Sequence, residues 1–246
     1  MSSVQAPHPP LGAYYRSEAD RSAWVRECFD RTAVDYDRLE RILGLGTGSW
    51  YRRRALRAAG LAPGMSVLDI GTGTGLLAIA AAGIVGDPAL VVGVDPSPGM
   101  IDHARVPAGL RLLCGSAEAI PAADASADFL CMGYALRHVS GLGTAFAEFH
   151  RVLRPGARLC ILEITLPVGR VRRALLKAWL HGVLPRLAAV FARRRDSALL
   201  MRYYWDTIAA CVPAQTILGA ISAAGFTDVT RQVELGMFSA YCARRP

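Results

Sequence analysis

The chain has 246 residues, 52% of them hydrophobic, and a formal net charge of +8. That supplies one sizeable core, or one domain with a cap, and no apolar run is long enough to cross a bilayer. The six cysteines are scattered without a C-x-x-C pair, which argues against a disulfide framework or a zinc site and for a cytoplasmic location; no metal is expected.

The positive charge is almost all arginine, since Lys177 is the sole lysine. Its densest runs are Arg52–Arg54, Arg170–Arg173 and Arg193–Arg195. None is interleaved with aromatics as an RNA-binding surface would be, so solvated helix faces and no nucleic-acid partner are expected.

Residues 1–16 read as a loose arm without a signal-peptide core. Residues 17–62 read as a helical cap, with Trp24, Val25, Cys28 and Phe29 on one stripe and then Ala33, Tyr36 and Leu39. Gly44, Gly46 and Gly48 interrupt it before a basic helix over Trp50–Ala59.

From residue 63 onward, strands and helices alternate. Strands are predicted at Ser66–Ile70, Leu90–Asp95, Leu110–Cys114, Asp128–Gly133 and Arg158–Ile164. Helices are predicted at Leu76–Val85, Pro98–Ala104, Ala117–Ile120 and Leu142–Leu153. Cys114, Cys131 and Cys160 fall in strands expected to be buried. Apolar strands separated by helices predict an α/β fold with a mostly parallel sheet covered on both faces. A helical insertion follows over about 168–211, with two helices between Val171 and Arg195 broken at Gly182 and Pro185. There, Leu175, Leu176, Trp179, Leu180 and Leu184 alternate with Arg172, Arg173, Lys177 and Arg186. This suits a lid packed on the sheet, or a cap whose basic edge meets anionic lipid at the inner membrane face. Helices at Ala198–Ala210 and Ala214–Ala224 follow, and Thr227–Val233 with Met237–Ala243 reads as a closing β-hairpin.

The chemistry gathers at the strand ends. Asp69-Ile70-Gly71-Thr72-Gly73-Thr74-Gly75 joins the first strand to its helix, and Asp95 ends the second strand, 20 residues past Gly75. Glycines permit tight turns and close ligand approach, and a strand-end carboxylate can accept both hydroxyls of a ribose. The loop also satisfies a dinucleotide fingerprint, so glycines and Asp95 alone leave NAD and S-adenosylmethionine both open.

Asp69 adds Asp-x-Gly-x-Gly-x-Gly, which resembles motif I of class I methyltransferases. Further blocks resemble the UbiE-type quinol C-methyltransferases: Phe29-Asp30-x-x-Ala33-x-x-Tyr36-Asp37, Gly93 to Met100, Ser116 to Pro121, Leu136-Arg137-His138, Arg151 to Gly156 and Arg202-Tyr203 with Asp206-Thr207-Ile208. The resemblance implies a Rossmann-like class I methyltransferase fold with a seven-stranded sheet, final hairpin and helical cap. It implies S-adenosylmethionine as cofactor, S-adenosylhomocysteine as product, and a small aromatic or isoprenoid-quinol-like acceptor. The implied cofactor contacts are Tyr36, Asp69, Gly71, Gly73, Thr74, Asp95, Met100, Ser116, Ala117 and Gly133.

His138 stands where the family has asparagine, and Ala135 where it has glycine; the changes fall on the acceptor side. Tyr134, Arg202, Tyr203, Trp205 and Asp206 are the expected acceptor pocket and lid. Arg137 is expected to stabilise a phenolate and His138, with an ordinary pKa of about 6.5, to act as general base. Methylation of a specialised metabolite on O, N or C is the alternative, a non-catalytic S-adenosylmethionine-binding partner the second. A homodimer is compatible with the sequence.

Overall fold

A computed structural model of the chain describes residues 6–43, 46–191 and 196–246. Seven strands form one sheet: β1 (Val67–Ile70), β2 (Val91–Asp95), β3 (Arg111–Cys114), β4 (Ala127–Gly133), β5 (Leu153–Ile164), β6 (Thr227–Glu234) and β7 (Phe238–Arg244). Their order is β3-β2-β1-β4-β5-β7-β6. The first five run parallel, while β7 pairs antiparallel with both β5 and β6. The chain winds outward from β1 through β2 and β3, then returns to place β4 on the other side of β1. A crevice opens beyond the carboxyl ends of β1 and β4, where such sheets bind ligands.

β1 is buried along its whole length because helices cover both faces of the sheet. On one face α2 (Gly48–Ala58) and α3 (Leu76–Val85) pack Leu56, Leu77 and Ala81 against Phe129 and Cys131. On the other face α5 (Leu142–Val152) and α9 (Ala214–Ala223) pack Phe146, Phe149, Ile217 and Ile221 against Ile161 and Tyr241. The short α4 (Pro98–His103) starts directly after β2.

A third core lies beyond the sheet edge. α1 (Glu18–Leu43) packs against α8 (Asp196–Ala210), which packs in turn against the helical run of α6 (Arg170–Lys177) and α7 (Leu184–Phe191). Its centre is aromatic: Tyr203 lies beside Trp24 and Tyr14, with ring centroids 4.7 and 5.1 Å away. Among the described residues no single helix is long and apolar enough to cross a membrane.

The predicted strands and major helices are present, with ends shifted by a few residues. Several expectations are corrected. Residues 6–15 are no loose arm. His8 and Tyr15 are buried, Arg21 holds the His8 carbonyl at 2.5 Å, and Val212 N–H donates to the Pro7 carbonyl at 2.8 Å. Ala117–Ile120 forms no helix, because a bridge between Ser116 and Ala119 closes a turn there instead. Cys114 is exposed, since β3 is an edge strand covered only in part. Residues 170–191 form one uninterrupted helical run, in which a π-helical stretch at Ala178–Val183 accommodates Gly182 and leads into Pro185. Pro185 lies inside this run and offers no N–H to the turn before it, and the π-helical stretch directly precedes that gap in the ladder. Gly44 and Arg193–Arg195 lie outside the described residues.

Candidate active site

The loop after β1 is shaped by its glycines. Gly71, Gly73 and Gly75 have φ of +67°, +58° and +88°, a left-handed region that favours glycine. At Gly71 a side chain is excluded twice over, since its Cβ would lie 2.6 Å from that of Ala135. The N–H groups of Gly71 and Thr72 donate to the Val94 carbonyl at 2.8 and 3.1 Å, pinning the loop to β2.

Asp69 is fully buried and does not line the cleft. It accepts hydrogen bonds from the Thr72 hydroxyl at 2.7 Å and the Cys131 thiol at 3.6 Å. Burial pushes its carboxyl up to about 7. Its place is beneath the loop, as a brace.

Asp95 does face the cleft. One carboxylate oxygen accepts from Gly73 N–H at 2.7 Å and the other from Ser97 N–H at 2.9 Å. Burial raises its pKa to about 6, against the opposing pull of those two amides. Each oxygen keeps a lone pair for a hydroxyl in the cleft.

Helix α1 is fastened over this loop at two points. Asp30 accepts from the Ser97 hydroxyl at 2.6 Å and Gly99 N–H at 2.8 Å. Asp37 accepts from the Thr74 hydroxyl at 2.5 Å. Thr74 is thus a clasp between helix and loop and, like Asp69, does not line the cleft.

The resulting cleft spans about 840 Å³, open solvent at its mouth included. Gly71, Gly73, Asp95, Met100, Ser116 and Ala117 form one end. Met132, Gly133, Tyr134 and His138 continue the wall, and Val25, Phe29 and Tyr36 of α1 close it from above. The expected cofactor contacts therefore converge, apart from Asp69 and Thr74. Phe29, Val25 and the rest of the α1 roof were read from the sequence only as an apolar stripe. The Asp30 and Asp37 positions on the same helix are the signal that places that stripe over the loop.

Arg137 and His138 lie on a single 3-10 turn after β4, at Leu136–His138. The guanidinium of Arg137 does not face the cleft, correcting the expected phenolate contact. It is buried and donates to Glu163 Oε2 at 2.6 Å and to the Thr207 hydroxyl at 3.2 Å, with the Tyr204 ring 5.1 Å from its Cζ. Burial alone would lower its pKa, but the Glu163 charge raises it above the ordinary arginine value.

His138 does line the cleft. Its Nδ1 is 3.2 Å from the Tyr203 hydroxyl, and its buried Nε2 has no hydrogen-bond partner among the described residues. Burial first, then the charge of Arg137, push its pKa well below 6.5. The imidazole is neutral at pH 7 and a poor sink for a full proton, so the general-base expectation gives way to a hydrogen-bonding one.

The expected lid residues are also relocated. Tyr134 lines the cleft, at a φ of +60°. Arg202 is exposed, and Tyr203, Trp205 and Asp206 pack behind α1 without lining the cleft. Asp206 accepts from the Tyr14 hydroxyl at 2.6 Å. α8 supports the roof rather than forming it: its Tyr203 hydroxyl lies 3.2 Å from His138 Nδ1, and its Tyr204 ring centre lies 6.4 Å from that of Phe29.

A strand-end carboxylate with free lone pairs, a bare glycine backbone and an apolar wall at Met100 suit a nucleoside joined to an amino-acid end. Comparisons with known proteins agree. The ubiE/COQ5 methyltransferase family model matches residues 16–243. The ubiquinone/menaquinone biosynthesis C-methyltransferase UbiE of Syntrophotalea carbinolica is 34% identical, over 90% of this chain and 94% of its own. The demethylmenaquinone methyltransferase of Mycobacterium sp. (strain JLS) is 31% identical, also over 90% and 94%. A methyltransferase structure from Thermotoga maritima shares the fold, with a TM-score of 0.63 at 20% identity over 90% of this chain and 99% of that one. The chain belongs to the ubiE/COQ5 methyltransferase family and is an S-adenosylmethionine-dependent methyltransferase.

Proposed function

We propose that the chain methylates a ring carbon of a hydroxylated, quinol-like aromatic acceptor. The observation that carries this is the aromatic-walled cleft beside the glycine loop, with the imidazole of His138 in its wall. The relatives named as C-methyltransferases of quinone biosynthesis support it. S-adenosylmethionine supplies an electrophilic methyl group. The protein's share is to hold the acceptor ring in line and keep water away, which can supply about 7–11 kcal/mol of the barrier reduction.

Phe29, Tyr36 and Tyr134 offer flat apolar surfaces to a ring. Neutral His138 donates Nδ1–H to the Tyr203 hydroxyl, which orients the imidazole and leaves Nε2 as the acceptor for a ring hydroxyl. This draws electron density toward the ring carbon beside that hydroxyl. The new carbon–carbon bond forms as the sulfur–carbon bond breaks, and the ring proton leaves to solvent. The acceptor is a small molecule, and the chain acts in the cytoplasm without nucleic acid.

The test is incubation of the full chain and S-adenosylmethionine with a short-chain prenyl hydroquinone under reducing conditions. A product gaining one methylene mass with its methyl on a ring carbon by NMR supports the reading. An O-methyl ether, or no S-adenosylhomocysteine release, overturns it.

A further inference from the structure

Beyond the cleft, three separated segments meet on one exposed face. Helix α6 presents Val168, just before it, and Val171 and Leu175 on it at 92%, 73% and 65% exposure. The turn between β6 and β7 presents Leu235, 80% exposed, and α2 presents Trp50, 60% exposed. Contacts join the three. A Cβ at Gly236 would be 3.3 Å from Arg172 Nη1, Arg54 pairs with Glu234 at 3.2 Å, and the Arg54 guanidinium lies 5.5 Å from the centre of the Trp50 ring.

Around these apolar tips stand the exposed Arg53, Arg54, Arg170, Arg172, Arg173 and Lys177. No acidic residue occurs between Glu163 and Asp196, and Glu234 is already paired with Arg54. The face lies at the catalytic end of the sheet, because Phe238 opening β7 pairs with Ile164 closing β5. α2 is anchored to the sheet beneath this face, since Tyr51 beside Trp50 turns inward, and its ring centre lies 5.1 Å from that of Phe238.

We propose that this face docks on an anionic phospholipid bilayer, with Trp50, Val171, Leu175 and Leu235 entering the headgroup boundary and the arginines meeting lipid phosphates. Exposed aliphatics ringed by arginine match that surface, where an indole favours the interface and basic side chains favour negative charge. Duplex nucleic acid would use the arginines but give the aliphatic tips no partner. A second copy would press two arginine-rich faces together. The proposal does not depend on which acceptor is methylated, and its readout is binding rather than turnover.

The experiment is co-sedimentation of the full chain at low salt with vesicles of phosphatidylglycerol in phosphatidylcholine and with vesicles of phosphatidylcholine alone. The native chain is expected in the pellet only with the anionic vesicles. R172E/R173E should lower partitioning by at least roughly 25-fold, at about fivefold for each of the two positive charges removed. V171S/L175S/L235S should lower it by a similar factor while leaving the net charge, the circular dichroism spectrum and S-adenosylmethionine affinity unchanged. Absence of binding to anionic vesicles overturns the proposal. So does binding that the serine variant leaves intact, or preferential retention by duplex DNA. A dimer seen by light scattering that the serine variant dissolves, without vesicle binding, overturns it as well.

Discussion

Glu163→Gln tests the geometry beneath the active-site turn. Glu163 Oε2 accepts from Arg137 Nη1 at 2.6 Å and from Ile164 N–H at 3.2 Å, while Oε1 accepts from Arg137 N–H at 3.3 Å. Both side chains are nearly buried, at 3% and 6% exposure. A glutamine can keep its carbonyl oxygen where Oε2 stands, but its amide then faces the Arg137 N–H, donor against donor. The guanidinium also keeps its charge without a counter-charge. Breaking one partner of a buried pair costs about 3–5 kcal/mol, and the surviving hydrogen bond and the Tyr204 ring place the expectation near 3. For a chain of this size that lowers the melting temperature by roughly 6–12 °C.

Urea unfolding should show a lower midpoint at unchanged slope. The double variant R137M/E163L should recover to within about 1 kcal/mol of the native chain, because an apolar pair of similar volume avoids the desolvation cost. S-adenosylmethionine affinity, measured where all variants are folded, should barely change, since neither side chain lines that end of the cleft. A loss below about 1 kcal/mol in the single variant, or a double variant as unstable as the single, would refute the reasoning.

Other outcomes follow from the same site. Burial holds the Asp95 carboxyl at about 6, so cofactor affinity should hold above that pH and weaken below it as the acceptor oxygens become protonated; titration calorimetry across pH 5–8 reads this, and a flat profile removes Asp95 from the ribose. Asp69, raised to about 7 when folded, binds its proton more tightly in the native state than in the unfolded one. Its stabilising share is complete below the unfolded value of about 4 and fades as pH rises through about 7, and the Asp69→Asn chain should lack that decline in urea unfolding. His138→Phe should cut turnover by roughly tenfold to a hundredfold and leave cofactor affinity intact, matching about 1.5–3 kcal/mol for one hydrogen bond to a charge-bearing partner; equal loss in both would make the residue structural. Thr74→Val should loosen the α1 clasp, weakening cofactor binding by about tenfold for a hydrogen bond of roughly 1–1.5 kcal/mol, and unaltered affinity would contradict that clasp.

The strand pattern, the glycine loop and Asp95 were legible because each is a local statement. Continuous apolar runs need cover on both faces, and glycines at Gly71, Gly73 and Gly75 permit a backbone that side chains resist. Arg137 and His138 were legible as a pair at a strand end, but not in direction. Adjacent residues on one tight turn point apart, and only the placement of Glu163 and Thr207, distant in sequence, draws one guanidinium inward while the imidazole stays in the cleft wall. The helical cap and Tyr36 as a cofactor contact were legible, the latter through the family resemblance, but Phe29 and Val25 form an ordinary apolar stripe until Asp30 meets Gly99 and Asp37 meets Thr74. Leu235 and Trp50 were single exposed residues until the hairpin set them beside α6. The sequence by itself determined which backbone could form and which chemistry stands at the strand ends. Tertiary packing decided which side chains turn toward the cleft, because burial and pairing across long separations set those directions and local periodicity does not encode them.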